Sequence, residues 1–299
     1  MDRIDELIGR LIDEAQWESA AGELLTEFSR GDSLERLVPM LRSGIPAVVK
    51  AGAWIASELG ERAAPLLGEM TVLLDHPLRY VRLFAIDTVL ATAGANDGPA
   101  VVKAVALTGD QDTAVRWKAV KFLARVGDGQ LAAAVDHLAE GRLRSRLEWL
   151  RSGDGIGVAV GLRDTDAEVR LFAAAAAARR ADSDFDLLVL AAAVSDEEVA
   201  SFAQEQLDLL ALKTKLPLNS YDIVRIGRSA TTIRLGIAGR TGVVRGISTP
   251  QVFGVVVDEL VYTVDLADLT PTGERARSED FRSGESIKVR PQRYGSEGR

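Results

Sequence analysis

Apolar positions recur at three- and four-residue spacing through residues 1–212 and at two-residue spacing beyond them, so the chain reads as helices followed by strands. Five segments of the first part share one form: a short polar turn, a valine, then an apolar-periodic helix. They are SGIPAVVKAGAWIASELG, DHPLRYVRLFAIDTVLATAG, DQDTAVRWKAVKFLARVG, DTDAEVRLFAAAAAARRA and SDEEVASFAQEQLDLLA. Their anchoring residues Val48, Val81, Val115, Val169 and Val199 lie 33, 34, 54 and 30 positions apart. The gap of 54 holds LAAAVDHLAEGRLRSRLEWL, enough for one more, degenerate hairpin. A hairpin of this size cannot bury its apolar stripe alone, so the repeat predicts a stack in which neighbours bury it for one another. Gly60, Gly94 and Gly127 follow helices at matching offsets and predict left-handed caps. Asp75, Asp110, Asp164 and Ser195 stand in the turns as acceptors for helix N-termini.

An Asp-containing turn followed by Val-Arg occurs in register three times, at Asp75…Val81-Arg82, Asp110…Val115-Arg116 and Asp164…Val169-Arg170. In this the chain resembles the HEAT-repeat family over about residues 34–212, with the N-terminal helices as a cap. Val49 and Ala200 stand where the first and last copies would carry the Arg. The resemblance implies that Arg82, Arg116 and Arg170 bridge to turn aspartates of neighbouring repeats rather than line an anion site.

Helix geometry then selects a face. With the valine at zero, positions +2, +3 and +6 fall at about 200°, 300° and 240°, away from the core side. They carry Lys50, Ala51 and Trp54 in the first copy, Leu83, Phe84 and Asp87 in the second, Trp117, Lys118 and Lys121 in the third, Leu171, Phe172 and Ala175 in the fourth, and Ser201, Phe202 and Glu205 in the fifth. Large apolar groups in such places predict a partner-binding surface, because binding energy concentrates on aromatic side chains. Trp54, Leu83, Phe84, Asp87, Trp117, Lys118, Lys121, Leu171 and Phe172 are the candidate contact set.

After Leu212, KTKLPLNS (213–220) reads as a linker broken at Pro217. YDIVRI, TTIRLGI, TGVVRGI, VFGVVVDE, LVYTVDL and SIKVR then read as short strands of a small bent sheet or SH3-like barrel over 221–292, with Phe281 and Ile287 in its core. Residues 293–299 form a tail that looks frayed. The fold class is therefore α+β: an α-solenoid over 1–212 and a small β-rich domain.

Composition narrows the chemistry. No cysteine is present, which removes disulfides, thiolate metal sites and thiol catalysis. The two histidines stand apart. His76 lies in a turn, and His137 has only Glu140 at i,i+3 beside it, without a second cluster. The acidic turns Asp164, Asp166, Glu168 and Asp182, Asp184, Asp186 lack the glycine and terminal Glu of a calcium loop; their position at helix starts explains them. No nucleotide-binding or nucleophile-elbow motif occurs, so no metal, cofactor or catalysis is expected. No secretory leader and no membrane-length apolar run is seen, and the expected location is the cytoplasm. Residues 1–212 hold 34 acidic and 22 basic groups, against 10 and 14 in residues 213–299. The acidic part disfavours nucleic acid and favours a basic protein partner, whereas the basic β part leaves nucleic-acid contact open.

Two resemblances concern that β part. Gly239-Arg-Thr-Gly242-Val-Val-Arg-Gly246-Ile247 is similar to a KOW-type strand–loop–strand element, which implies an adaptor touching nucleic acid or another protein. Using more residues, Gly239, Gly242, Gly246, Tyr262, Leu269, Thr272, Gly273, Phe281, Gly284 and Ile287 resemble the pattern of the Imm31 immunity-protein family of bacterial polymorphic-toxin systems. That resemblance implies a non-catalytic protein that binds and neutralises a cognate toxin, with a basic toxin domain suiting the acidic array.

Overall fold

The computed structural model describes residues 2–181, 183–215, 218–249, 251–258, 260–276 and 292–293. They form two compact units, 1–207 and 208–299. Phe281, Gly284, Ile287, Pro217, Asp182, the SIKVR segment and residues 294–299 lie outside the described residues.

The first unit is a run of helices: α1 (Arg3–Arg10), α2 (Trp17–Ser29), α3 (Leu37–Leu41), α4 (Pro46–Glu58), α5 (Leu67–Leu73), α6 (Arg79–Thr92), α7 (Gly98–Ala106), α8 (Thr113–Arg125), α9 (Asp128–His137), α10 (Arg142–Ser152), α11 (Gly155–Gly161), α12 (Ala167–Arg179), α13 (Phe185–Ala192) and α14 (Glu197–Lys215). Successive helices pair as hairpins, and the second helices stack as α4 on α6 on α8. The anchoring Val48, Val81 and Val115 are buried in this stack and Val199 is buried on α14, whereas Val169 is half-buried. Alanines do much of the packing, so helices approach closely. At Gly98 a Cβ would sit 2.3 Å from the Ala133 carbonyl oxygen, which lets α7 lie hard against α9.

The long gap between Val115 and Val169 holds the expected degenerate hairpin, α9 and α10. Its anchor is Leu143-Arg144, which splits the 54 residues into 28 and 26. Arg144 donates to the carbonyl of Leu138 six residues back, as Arg82 does to His76, Arg116 to Asp110 and Arg170 to Asp164. Leu in place of Val and the missing Asp turn hid this copy. α10 does not take its place in the stack, because α8 packs directly on α12.

The turn chemistry differs from expectation by one step. Asp112, Asp166 and Asp196, each two residues or one after the expected Asp110, Asp164 and Ser195, cap helices α8, α12 and α14. Asp110 and Asp164 instead bind the N–H of Asp112 and Asp166 and fold the turn itself. Asp75 caps nothing and pairs with Lys103 across the repeat. Only Gly60 of the three expected caps is left-handed, at φ +56°. α6 ends in extended backbone at Ala93, and Gly127 is the N-cap of α9, so neither end calls for the left-handed region.

In the second unit one antiparallel sheet has the strand order β4-β3-β2-β1-β5-β6, with β1 (Asp222–Ile226), β2 (Thr241–Thr249), β3 (Val252–Val257), β4 (Leu260–Asp265), β5 (Leu269–Arg275) and β6 (Gln292–Arg293). Register shifts in the β1–β5 and β2–β3 pairs bend it. Val224, Ile226, Val244, Phe253, Val255, Val257, Val264 and Leu269 form its core. Two readings change. TTIRLGI is a short helix, α15 (Ala230–Arg234), because Ser229 and Thr232 form a reciprocal capping box and Ile233 and Leu235 stay exposed. LTPTGER is a strand, β5, although Pro271 interrupts its donor pattern. α14 also runs through Leu212 to Lys215, three residues into the expected linker.

Candidate binding face

On the first unit the expected contact residues separate into two groups. Trp54 on α4, Leu83, Phe84 and Asp87 on α6, and Trp117, Lys118 and Lys121 on α8 are all half-buried on adjacent stacked helices. Leu171 and Phe172 do not join them: they are 5% and 1% exposed and belong to the core. The reason is the displacement of α10. α12 is packed by α8, α10, α11 and α13, so the side that would face outward is covered, and the Arg146 guanidinium lies 5.9 Å over the Phe172 ring. The contact set therefore ends at α8.

The face gains Trp17 and Tyr80, which the repeat register passed over, and includes Lys50, which stands at the +2 position of the first copy. Trp17 of α2 lies 6.3 Å from Trp54, tilted by 50°, and donates its indole N–H to the Ala47 carbonyl. The Lys50 ammonium stands 4.0 Å above the Trp17 ring and 5.3 Å from the ring of Tyr80. Tyr80, 45% exposed, receives Arg79 at 2.8 Å. That bond and the Arg79 charge, with Lys50 adding, hold its phenol below the usual tyrosine range. Lys50, Trp54 and Glu58 follow one another at i, i+4 and i+8 on α4, a ladder visible in the sequence once a helix start at Pro46 is assumed.

The charges along the face are mostly matched. Lys118 pairs with Asp87 at 2.6 Å; Lys121 pairs with Glu205 of α14 at 2.7 Å and lies 5.4 Å from the Trp117 ring. The indole N–H of Trp117 is buried without an acceptor among the described residues. Glu58 is exposed, and partial packing around its carboxyl group pushes it above the usual carboxylate range. The Trp54 indole bond opposes this, and the Asp87 charge adds to it.

The recurring arginines behave as bridges, as the repeat pattern implied, at two of three places. Arg82 binds Asp110 of the next turn, and Arg170 binds Asp196 of the next turn. Arg116 departs from the pattern and reaches Glu198 on α14 at 3.4 Å, because the following repeat offers it no turn aspartate. His76 accepts the Leu78 N–H on Nδ1 and is held below the usual histidine range by burial and by Arg82. Among the described residues no group of three or more His, Asp and Glu could hold a metal ion, and no helix is long and apolar enough to cross a membrane.

In the second unit the glycines of the GxxGVVxG segment have separate structural duties. Gly239 is left-handed at φ +77°, and a Cβ on Gly242 would sit 2.5 Å from Val255 Cγ1. Leu269 is in the core, Tyr262 packs against it, and Thr272 donates to the Ile223 carbonyl. Arg225, Arg228 and Arg234 are exposed and pair with no carboxylate among the described residues.

Fold and face together define a helical-repeat protein carrying an antiparallel sheet unit. No family model matches the chain, and no curated protein matches it. Among solved structures, two engineered proteins are 20% identical. One covers 71% of this chain and 97% of its own at a TM-score of 0.39; the other covers 70% and 98% at 0.41. A designed armadillo repeat protein in complex with the peptide (KR)4 is 17% identical, with 69% and 99% covered and a TM-score of 0.37. At such values none of these likenesses bears on what this chain binds.

Proposed function

We propose that the chain is a non-catalytic protein-binding protein whose partner docks on the α4–α6–α8 face. The observation that carries this is the gathering of Trp17, Trp54, Tyr80, Phe84 and Trp117 in half-exposed positions on neighbouring helices. Elsewhere in the repeats Phe28, Phe122, Phe172 and Phe202 are fully buried, whereas five of the unit's eleven aromatics gather on this face. Aromatic side chains left at a surface and flanked by charges are the usual composition of an interface centre. The sequence likeness of the β unit to Imm31 supports a narrower form of this reading: immunity in the cytoplasm, with a basic toxin as the partner. The acidic excess of residues 1–212 agrees with that choice of charge.

The test uses the full chain as bait in lysate of its native host, beside the Phe84→Ala/Trp117→Ala double variant. A protein captured by the first and lost from the second, at unchanged helical circular dichroism, supports the face. Equal capture by both refutes it. Immunity requires in addition that the captured protein arrest growth when expressed alone and that co-expression of this chain restore it. A harmless partner removes that narrower form. A second reading, nucleic-acid contact by the β unit, is favoured by the unpaired Arg225, Arg228 and Arg234. It would show as oligonucleotide binding that weakens steeply with salt.

A further inference from the structure

Most cations of the face meet a carboxylate: Lys118 reaches Asp87 at 2.6 Å, Lys121 reaches Glu205 at 2.7 Å and Arg116 reaches Glu198 at 3.4 Å. Lys50, half-buried on α4, has neither a carboxylate nor a hydrogen-bond acceptor among the described residues. Its ammonium lies 4.0 Å from the centroid of the Trp17 ring and 5.3 Å from that of Tyr80, and Trp17 stands 6.3 Å from Trp54. Ring faces attract an ammonium through their quadrupole, yet they bring no countercharge and no lone pair for its three N–H donors. A second cation shares the Tyr80 ring. The Arg79 guanidinium carbon lies 4.7 Å from the centroid, and Arg79 Nη2 donates to the Tyr80 hydroxyl at 2.8 Å. That hydroxyl accepts from Arg79 and keeps its own proton to donate. Among the described residues the cluster's one ion pair is Arg79 with Asp112, at 3.7 Å. The other oxygen of Asp112 is committed to capping α8, where it accepts the Ala114 and Val115 N–H. The repeat register shows where the missing carboxylates would be. Asp112, Asp166 and Asp196 each stand three residues before an anchoring valine, and Ile45 and Leu78 hold that place in the first two copies. A cationic spot therefore sits within an otherwise acidic unit.

We propose that Lys50, Arg79 and the Tyr80 hydroxyl seat an Asp or Glu side chain of the protein partner. The carboxylate supplies the countercharge and acceptor that Lys50 lacks, and it accepts the hydrogen bond that the Tyr80 hydroxyl still has to give. Apolar carbon of the same segment settles on the half-buried rings of Trp17 and Trp54. Those rings already confine the ammonium, so pairing costs little further side-chain freedom. A basic segment would instead bring a third cation to this spot. The acidity of residues 1–212 and the cationic spot thus select different features of one partner: a basic surface overall, with an acid at this point. This rests on the reading of the α4–α6–α8 face as the docking surface, and it can fail while that reading stands.

The probe is a hexapeptide with blocked ends, Glu-Leu-Gly-Glu-Leu-Gly, titrated into the isotope-labelled full chain at low salt. Binding is followed by NMR on the indole N–H signals of the four tryptophans. The signals of Trp17 and Trp54 should shift, and a peptide with Gln for Glu should bind about five-fold or more weakly, the scale of one partly shielded ion pair. A peptide with Lys for Glu should bind no better than the Gln peptide. Lys50→Met keeps the stem without the charge and should erase the preference for Glu, whereas Lys50→Arg should keep it. Lys103→Met removes the same charge from α7, off the face, and should leave the preference intact. Absence of binding by wild type, equal binding of the Glu and Gln peptides, or a preference that survives Lys50→Met overturns the proposal. Tightest binding of the Lys peptide overturns it as well, because the overall acidity of the unit then governs the site. If the captured partner is lost by Phe84→Ala/Trp117→Ala but kept in full by Lys50→Met, the face is right and the seat is wrong.

Discussion

Replacing Asp110 with Ala removes the acceptor of the most deeply set bridge between repeats. The Arg82 and Asp110 side chains are 13% and 8% exposed, with Nη2 to Oδ1 and Nε to Oδ2 both at 2.9 Å. Asp110 also accepts the Asp112 N–H at 2.8 Å, so its loss unpairs one backbone donor as well. Breaking a buried pair by removing one partner costs about 3–5 kcal/mol. Arg82 would keep the His76 and Pro77 carbonyls and a sliver of solvent, which brings the expected loss to about 2–4 kcal/mol. Asp196→Ala, whose pair with Arg170 is 22% and 20% exposed, should lose less, roughly 1–3 kcal/mol. Asp75→Ala, in a pair 41% and 69% exposed, should lose under about 1 kcal/mol. Urea unfolding followed by helical circular dichroism measures all three, with the slope checked for loss of cooperativity, since repeat stacks unfold piecemeal when a joint weakens. The order Asp110, Asp196, Asp75 is the prediction. If Asp110→Ala proves no costlier than Asp75→Ala, burial of the bridge is not what ties the repeats together.

Two further outcomes separate core from face and charge from packing. Phe172→Ala should destabilise the helical unit by about 3–5 kcal/mol in the same unfolding assay, because it empties a fully packed site, and a loss below 1 kcal/mol would return Phe172 to the surface. Glu58→Gln should raise the melting temperature at pH 7 and leave it unchanged near pH 3. The folded carboxyl is held above its ordinary value, so both states are protonated well below that value and the substitution then removes nothing. As pH rises from the ordinary value through the raised one, the unfolded chain ionises first and stability falls. Above the raised value the full cost is present, and Gln removes it. A melting temperature lowered at pH 7 would mean that an unseen cation already serves Glu58.

The helical repeats were legible in the sequence because a valine, a turn and a glycine recur in register, and that recurrence is local. So were Trp54, Phe84 and Trp117, whose angular position follows from helix geometry and whose neighbours are helices of the same register. Phe172 has the same angular position yet is buried. Its fate depends on α10 being displaced and on α8 meeting α12, which only packing decides. Tyr80 and Trp17 join the face for the converse reason: they lie outside the counted positions but are brought beside Lys50 by the stacking of α2, α4 and α6. In the β unit, alternation marked four strands correctly and misjudged two segments. A three-residue capping interaction overrode the alternation in one, and a proline within a paired strand disguised the other.

By itself, then, the sequence determined which elements form, their approximate order, and the opposite charge of the two parts, since each follows from residue spacing and composition. Which surfaces remain open was decided by tertiary structure. Exposure depends on what comes to rest against a helix, and the helices against α12 include α8, more than forty residues away along the chain. The same holds for the carboxyl group of Glu58. Glu58 looks ordinary in the sequence, and its displacement from the usual carboxylate range depends on the packing around it and on Asp87 of the next helix.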